Sequence, residues 1–347
     1  MIDVDLLSRI CAIPGAPGFE HEVRTFVETQ IDSLVDDYRT DAMGNLIARI
    51  KGRDDSKRVM CAAHMDEISF IVTHIDDDGF VRFHVLGGFD PKTLTAQRVI
   101  IHGKRDLVGV MGSKPIHLMK PDERTKAPAL GDYFIDLGLP KEEVVASISV
   151  GDPITREREL IEMGECVNAK SLDNRVSVFI LIEALKALQG RDLPYDFYAV
   201  FTVQEEVGLR GAMTAASQVD PSFAIGLDVT IAFDVPGAQP HEAVTRLGKG
   251  AAVKIMDGSV ISDTRMVAHM KATADRHDIA YQAEVLPAGG TDTAYLQRAG
   301  KHGAIAGAIS IPCRHIHQVI ELCHKADVKA CTDLLVEVVA EMDQLKA

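Results

Sequence analysis

The sequence predicts an α/β protein whose sheet is covered by helices on both faces and built from both ends of the chain, with a small β-rich module inserted between them. Three observations carry that expectation. Strand-like and helix-like runs alternate from residue 164 onward, and similar segments open the chain. Between them, about 68 to 150, short apolar runs follow one another with no long helical period. At 347 residues the chain is longer than one core usually holds, and its 46% hydrophobic and 25% charged residues are the proportions of a globular protein.

Val4, Leu6, Leu7 and Ile10 predict a first helix, stopped by the run Pro14-Gly15-Ala16-Pro17-Gly18. An amphipathic helix follows over 20–34, with Val23, Phe26, Val27 and Ile31 at helical spacing. Strands are expected at 46–50 and 59–63, the second leading into His64, Met65 and Asp66. In the inserted module the runs SFIVTHI, FVRFHVL, RVIIHG, LVGVMG and VVASISV are cut by turn residues, the signature of a barrel or compact sandwich. Beyond it, helices are expected over 175–188, 209–218, 263–277, 293–298 and 326–345. Strands are expected over 197–203, 224–229, 251–255, 282–286 and 304–309.

Composition narrows the function. Acidic residues outnumber basic ones by 51 to 37, for a net charge of −14, and no lysine- or arginine-rich block offsets them. A nucleic-acid binder needs the opposite field, so nucleic acid is not an expected partner. Cysteines stand at 11, 61, 166, 313, 323 and 331 with no CxxC pair, which reads as buried small hydrophobes in a reducing compartment. Cys313 lies among candidate metal ligands and is not read as a nucleophile. The opening residues lack the apolar core and cleavage site of a signal peptide, and no run approaches a membrane span, so the cytoplasm is expected.

Five segments place a carboxylate or imidazole just after an expected strand, where open α/β sheets bind ligands. They carry His64 and Asp66, Asp173, Glu205 and Glu206, Asp228, and finally His315 and His317. Mixed imidazole and carboxylate donors suit zinc, cobalt or manganese better than calcium or magnesium. Asp66, two residues beyond His64 on an extended segment, projects the same way and could fix that histidine's tautomer. Each position also has a plainer reading: Asp173, for instance, precedes a helix and would make a good N-cap. Adjacent glutamates point to opposite sides of a strand, so Glu205 and Glu206 reach one site only if the chain turns there, which Val207-Gly208 permits.

The motifs HMD (64–66), SLDNR (171–175), QEEVGLRGA (204–212), GLDV (226–229), GGTD (289–292) and IPCRHIHQVIE (311–321) resemble those of the tetrahedral (TET) aminopeptidase family, relatives of the glutamyl aminopeptidases. The segment QRVIIHGKRDLVGVMGSKPIHLM (97–119) resembles that family's inserted domain, so the resemblance spans nearly the whole chain. It implies a co-catalytic zinc peptidase fold with a central mixed sheet. Residues 1–66 and 160–347 would form the catalytic domain, and 67–159 a barrel-like dimerisation domain. It implies two divalent metal ions per subunit, zinc or cobalt foremost and manganese as an option. His64 and Asp228 would hold one ion, Glu206 and His317 the other, and Asp173 both, with Glu205 as general base and Asp66 behind His64. Position 315 is histidine where many relatives carry tyrosine, which leaves His315 a competitor for the His317 role. Gly289, Gly290, Thr291 and Asp292 would form a substrate-pocket turn, although Thr291 or Asp292 as a simple helix cap fits equally.

The implied reaction is removal of the N-terminal residue from short peptides. Two ions about 3.5–4 Å apart would polarise the scissile carbonyl. The implied assembly is a homo-oligomer, dimers building a dodecamer, with a neighbour's residue near His117 or in the 87–97 loop completing the site. Members of the family favour acidic, basic or neutral N-terminal residues, and a neutral, aliphatic one is the expectation here. Two alternatives stand beside it. A metallo-deacylase or carboxypeptidase of the same clan would need an arginine for the substrate carboxylate, with Arg175, Arg210 and Arg314 nearest the motifs. A glycoside hydrolase using Glu205 and Glu206 is disfavoured by the absence of tryptophan.

Overall fold

A computed structural model describes residues 1–346. Four parallel strands form the centre of an 11-stranded sheet, in the order Tyr195–Thr202, Asp54–His64, Phe223–Ile231 and Ile305–Arg314. Antiparallel strands flank them. Leu46–Ile50 and Asp37–Thr40 lie on one side, and Glu321–His324, Cys166–Ala169 and Ile161–Met163 on the other. Ala251–Met256 pairs with Ile305–Arg314 and carries Tyr281–Val285 on its outer edge. The sheet is therefore mixed, and parallel at the centre, where the strands are buried on both faces as such sheets require.

Helices cover both faces. Leu172–Ala187, apolar nearly all round, packs under strands Asp54–His64 and Phe223–Ile231 and against helices Val4–Ala12 and Lys325–Ala340. On the other face Arg210–Val219 and Thr293–Gln297 close a second core around Met60, Ala62, Val200, Ala216 and Leu296. Between His64 and Ile161 the chain leaves the sheet to form a closed barrel. Its strands run in the order Ser69–Ile75, Val81–Leu86, Phe134–Asp136, Asp106–Gly112, Arg98–His102 and Pro153–Arg156, around a core that includes Phe70, Val99, Ile135 and Ile154. Among the described residues no helix is long and apolar enough to cross a membrane.

The differences from expectation have local causes. The run VVASISV is not a strand: Lys141–Ser147 is a helix that buries Val144 and Ser147 against the barrel core. Its start signals are Pro140 followed by Glu142 and Glu143 in the first turn, which favour a helix despite the β-branched pair. Phe134–Asp136 and Pro153–Arg156 supply the remaining strands. Ile305–Arg314 continues past residue 309 because its parallel neighbour keeps pairing as far as Ile231 opposite Cys313. The last helix stops at Ala340, and a short 3-10 turn follows at Met342–Gln344.

Candidate active site

The carboxyl ends of the central strands meet at one place. His64 ends its strand, and Asp228 sits near the end of the next. Past Thr202 the chain turns at Gln204, whose φ of 55° is left-handed, and presents Glu205 and Glu206 to the same side. The turn thus begins before the pair rather than at Val207-Gly208, and closes when Gly208 and Leu209 donate to the Glu205 carbonyl at 3.0 and 2.8 Å. Three consecutive backbone N–H groups are held by buried carboxylates. Gln204 donates to Glu20 Oε1, and Glu205 and Glu206 donate to the two oxygens of Asp66, each at 3.0 Å.

Asp66 also faces His64. The His64 Nδ1 lies 3.1 Å from the Asp66 carbonyl and 3.4 Å from its Oδ1, which leaves Nε2 pointing into the site. Asp173 is not an N-cap: its carboxylate turns away from the helix, with Oδ1 3.3 Å from His64 Nε2 and Oδ2 3.3 Å from His317 Nε2. Glu206 Oε2 is 3.4 Å from His317 Nε2, while Asp228 and Glu205 lie 3.8 and 3.9 Å from His64 Nε2. Of the two neighbouring histidines only His317 meets these carboxylates. His315 is exposed on the cavity wall.

The electrostatics follow from four acids and two imidazoles in a nearly dry place. Among the described residues no lysine or arginine lies within 4.0 Å of Asp173, Glu205, Glu206 or Asp228. Burial pushes the Glu205 carboxyl well above its usual range, and burial with the Asp173 charge pushes Glu206 up to about 8. Burial opposes charge on His317, yet its contacts with Asp173 and Glu206 raise it to about 10. Asp173 is held low in spite of burial by its bonds to His317 and His64. Glu206 Oε1 is buried with no hydrogen-bond partner. Donor atoms of His64, Asp173 and Glu206 lie within 4.8 Å of one another, as do those of His64, Glu205 and Asp228. Such a negative, mixed N/O donor set fits transition-metal dications. A third such group, His277 with Glu337 and Glu341, is already engaged by Arg191 and Arg276 at the surface.

The site opens into a cavity of about 810 Å³. Leu209, Val229, Ile231, Phe233, Leu286 and Ile316 give it apolar walls, and Gly289, Gly290 and Thr291 form part of the rim. Asp292 is buried and makes no cap bond. Its Oδ2 accepts the Thr202 hydroxyl at 2.6 Å, behind the site rather than in the cavity. Thr291 donates to Asp257, which also receives Lys254 at 3.2 Å. Sequence reasoning overlooked Glu20, Glu67, Lys254, Asp257 and Arg156, and used Glu321 only as a landmark. Glu67, directly after Asp66, and Glu321, closing the histidine segment, had a positional signal; Arg156, inside the barrel, had none.

The 87–97 loop approaches this chain's own site. A Cβ on Gly88 would lie 3.1 Å from His317 Nδ1, and one on Gly87 would lie 3.3 Å from Glu206 Oε2. His117 sits on an exposed 3-10 turn of the barrel.

A family model described as M42 glutamyl aminopeptidase matches residues 44–334. An aminopeptidase from the archaeon Desulfurococcus kamchatkensis is 37% identical, with a TM-score of 0.93, covering 99% of this chain and 97% of that one. A TET aminopeptidase from a marine-sediment archaeon of the Thaumarchaeota is 35% identical, with a TM-score of 0.94 over 98% and 96% of the two chains. The TET1 peptidase of Pyrococcus horikoshii, which can assemble into a tetrahedron or a large octahedral shell, is 31% identical, with a TM-score of 0.88 over 97% and 99%.

Proposed function

We propose a two-metal mechanism for this chain, which belongs to the M42 glutamyl aminopeptidase family and is accordingly an aminopeptidase. The observation that carries the mechanism is the Asp173 carboxylate, each of whose oxygens faces a different histidine inside a cluster of acids with no lysine or arginine within 4.0 Å among the described residues. In this reading His64 and Asp228 would hold one ion, Glu206 and His317 the other, and Asp173 would serve both. Zinc or cobalt suits the donors best, and manganese is compatible. Bound there, the ions would supply Lewis acidity to the scissile carbonyl and acidify a water molecule.

The chain's own groups do the rest. Glu205 takes a proton from the water as its oxygen bonds to the carbonyl carbon, and gives it to the amine as the C–N bond breaks. Asp66 fixes the backbone that carries Glu205 and the imidazole of His64, so the base and its target keep their separation. The substrate's free α-amino group would meet a metal or an acidic neighbour of the site, which restricts cleavage to the N-terminal residue of short peptides. Apolar cavity walls favour neutral, aliphatic side chains. The carboxypeptidase-like alternative lacks its anchor. Arg175 is consumed by the Met65, Ile10 and Ile13 carbonyls and Arg314 by Asp234, and Arg210 donates to Gln204 Oε1 away from the cavity lining.

Residues 67–159 serve in this reading as the dimerisation unit. Val108, Val110, Ile116 and Leu118 stand 47–70% exposed on the barrel, an apolar face suited to a second copy. Dimers would build a dodecamer in the manner of the Pyrococcus relative's tetrahedron. The free cysteines suit the cytoplasm.

The test is Glu205→Gln, assayed on aminoacyl-nitroanilides together with metal content. The expected outcome is a kcat about 10²–10⁴-fold lower with both ions retained. Chelation should abolish wild-type activity, and zinc, cobalt or manganese should restore it. Chelator-resistant hydrolysis, or full activity in E205Q, would overturn the mechanism.

A further inference from the structure

Arg156 is the last residue of the barrel strand Pro153–Arg156, yet its guanidinium lies beneath the active site and is only 1% exposed. Its Nη1 donates to the Gln318 carbonyl at 2.5 Å, next to His317, and lies 3.8 Å from Glu321 Oε1. Its Nη2 lies 3.5 Å from Glu67 Oε2, next to Asp66. The guanidinium carbon is 5.8 Å from the ring centroid of Phe89, which follows the Gly87-Gly88 loop.

These contacts are not those of an ordinary buried ion pair. Glu67 already has its own cations, with Lys170 Nζ at 2.6 and 2.8 Å and Arg175 at 3.6 Å. Glu321 has none but Arg156 within 4.0 Å among the described residues. The other Glu321 oxygen accepts the backbone N–H of Asp173 at 2.9 Å. One planar guanidinium therefore donates to the carbonyl beside His317 while lying within 4.0 Å of Glu321, which holds the Asp173 amide, and of Glu67, a reach that a lysine ammonium at the same place could not match.

We infer that Arg156 is a positioning residue for the metal centre, through which the barrel sets the Glu321–Asp173 contact and the His317 loop. The role rests on the two-metal reading. Groups behind metal ligands typically change metal affinity or activity by about 10–100-fold when altered.

The test uses the full chain with Arg156→Lys and Arg156→Met, and exposed barrel Arg98→Met as the control. Bound zinc per subunit is measured after dialysis against graded chelator, beside kcat, KM and the thermal midpoint of metal-free protein. In R156K the chelator concentration that strips the more weakly held ion should fall about 10–100-fold. Its kcat should fall while KM stays within about two-fold and the metal-free midpoint stays near wild type. R98M should match wild type throughout.

Wild-type metal retention and kcat in both Arg156 variants would overturn the inference, as would a loss that simply tracks a lower metal-free midpoint. Failure of R156M alone to fold leaves the decision to R156K; failure of both makes the residue structural and ends the proposal. Wild-type protein that binds no ion would end the two-metal reading itself, whereas two ions with unaltered Arg156 variants would end only this one.

Discussion

Glu321 accepts the backbone N–H of Asp173 through Oε2 at 2.9 Å, so a buried carboxylate holds the residue whose own carboxylate faces both histidines. Glu321→Ala removes that acceptor and leaves the amide dry and unpaired, at a cost of about 1–3 kcal/mol in stability. It should also lower kcat about 10–100-fold. Glu321→Gln keeps an acceptor oxygen and should lose less of both. Urea unfolding and steady-state kinetics on the pair check the order; an alanine variant as active as the glutamine one would contradict it.

His317 and His315 separate cleanly. His317 Nε2 lies within 3.4 Å of Asp173 and Glu206, whereas His315 has no such partner among the described residues. On the two-metal reading, His317→Ala should bind one ion fewer than the wild type, with activity falling at least about 10²-fold. His315→Ala should keep both ions and change KM more than kcat, because it stands on the cavity wall. Metal analysis of the two purified variants decides the matter.

Gly87 has a φ of 94°, and a Cβ there would come within 2.7 Å of Ile68 Cγ2 and 3.3 Å of Glu206 Oε2. Gly87→Ala should therefore destabilise by about 1–3 kcal/mol. It should also weaken metal retention, because Glu206 must move. A substitution at Gly138, also at positive φ but with nothing within 4 Å of its Cβ, should incur only the backbone strain and leave metal binding intact. Unfolding midpoints and metal content of the two alanine variants test the contrast.

The metal-free protein should lose stability as pH rises. Burial, first among the causes in each case, pushes Glu20, Asp292 and Glu321 up to about 7 and Glu206 to about 8. Unfolded carboxyls titrate near about 4, so across the interval the folded chain holds protons that the unfolded chain has shed. The His317 contribution has the same sign. It is fully present below about 6.5 and fades as pH climbs toward the folded value of about 10. The thermal midpoint of chelator-treated protein should fall between about pH 5 and about pH 9, and saturating zinc should raise it most at the upper end. A midpoint that rises over that window without metal would refute the assignment of these buried acids.

Much of this was legible in the chain itself because strand ends and ligand motifs coincide. His64, Glu205, Glu206, Asp228 and His317 stand just past strand-like runs or at their ends, and the central parallel strands do bring them together. Where reading failed, the missing information lay outside the local window. The run at 144–150 has strand-forming side chains, but acids behind Pro140 start a helix that the barrel core then buries. Asp292 resembles a cap in sequence, and only the arrival of Thr202 from another strand shows that its carboxylate is otherwise engaged. Arg156 and Glu67 come within 3.5 Å although most of the inserted module separates them in the sequence, and no periodicity connects them.

The sheet order has a consequence for the life of the chain during synthesis. The residues around Asp173 come from strands and turns spread from His64 to His317, and the strand Ile305–Arg314 that delivers His317 pairs beside Phe223–Ile231 only after nearly the whole polypeptide exists. Such long-range pairing forms slowly and late. A nascent or truncated chain that lacks this strand therefore carries no assembled centre, and proteolytic competence is withheld until translation has passed His317.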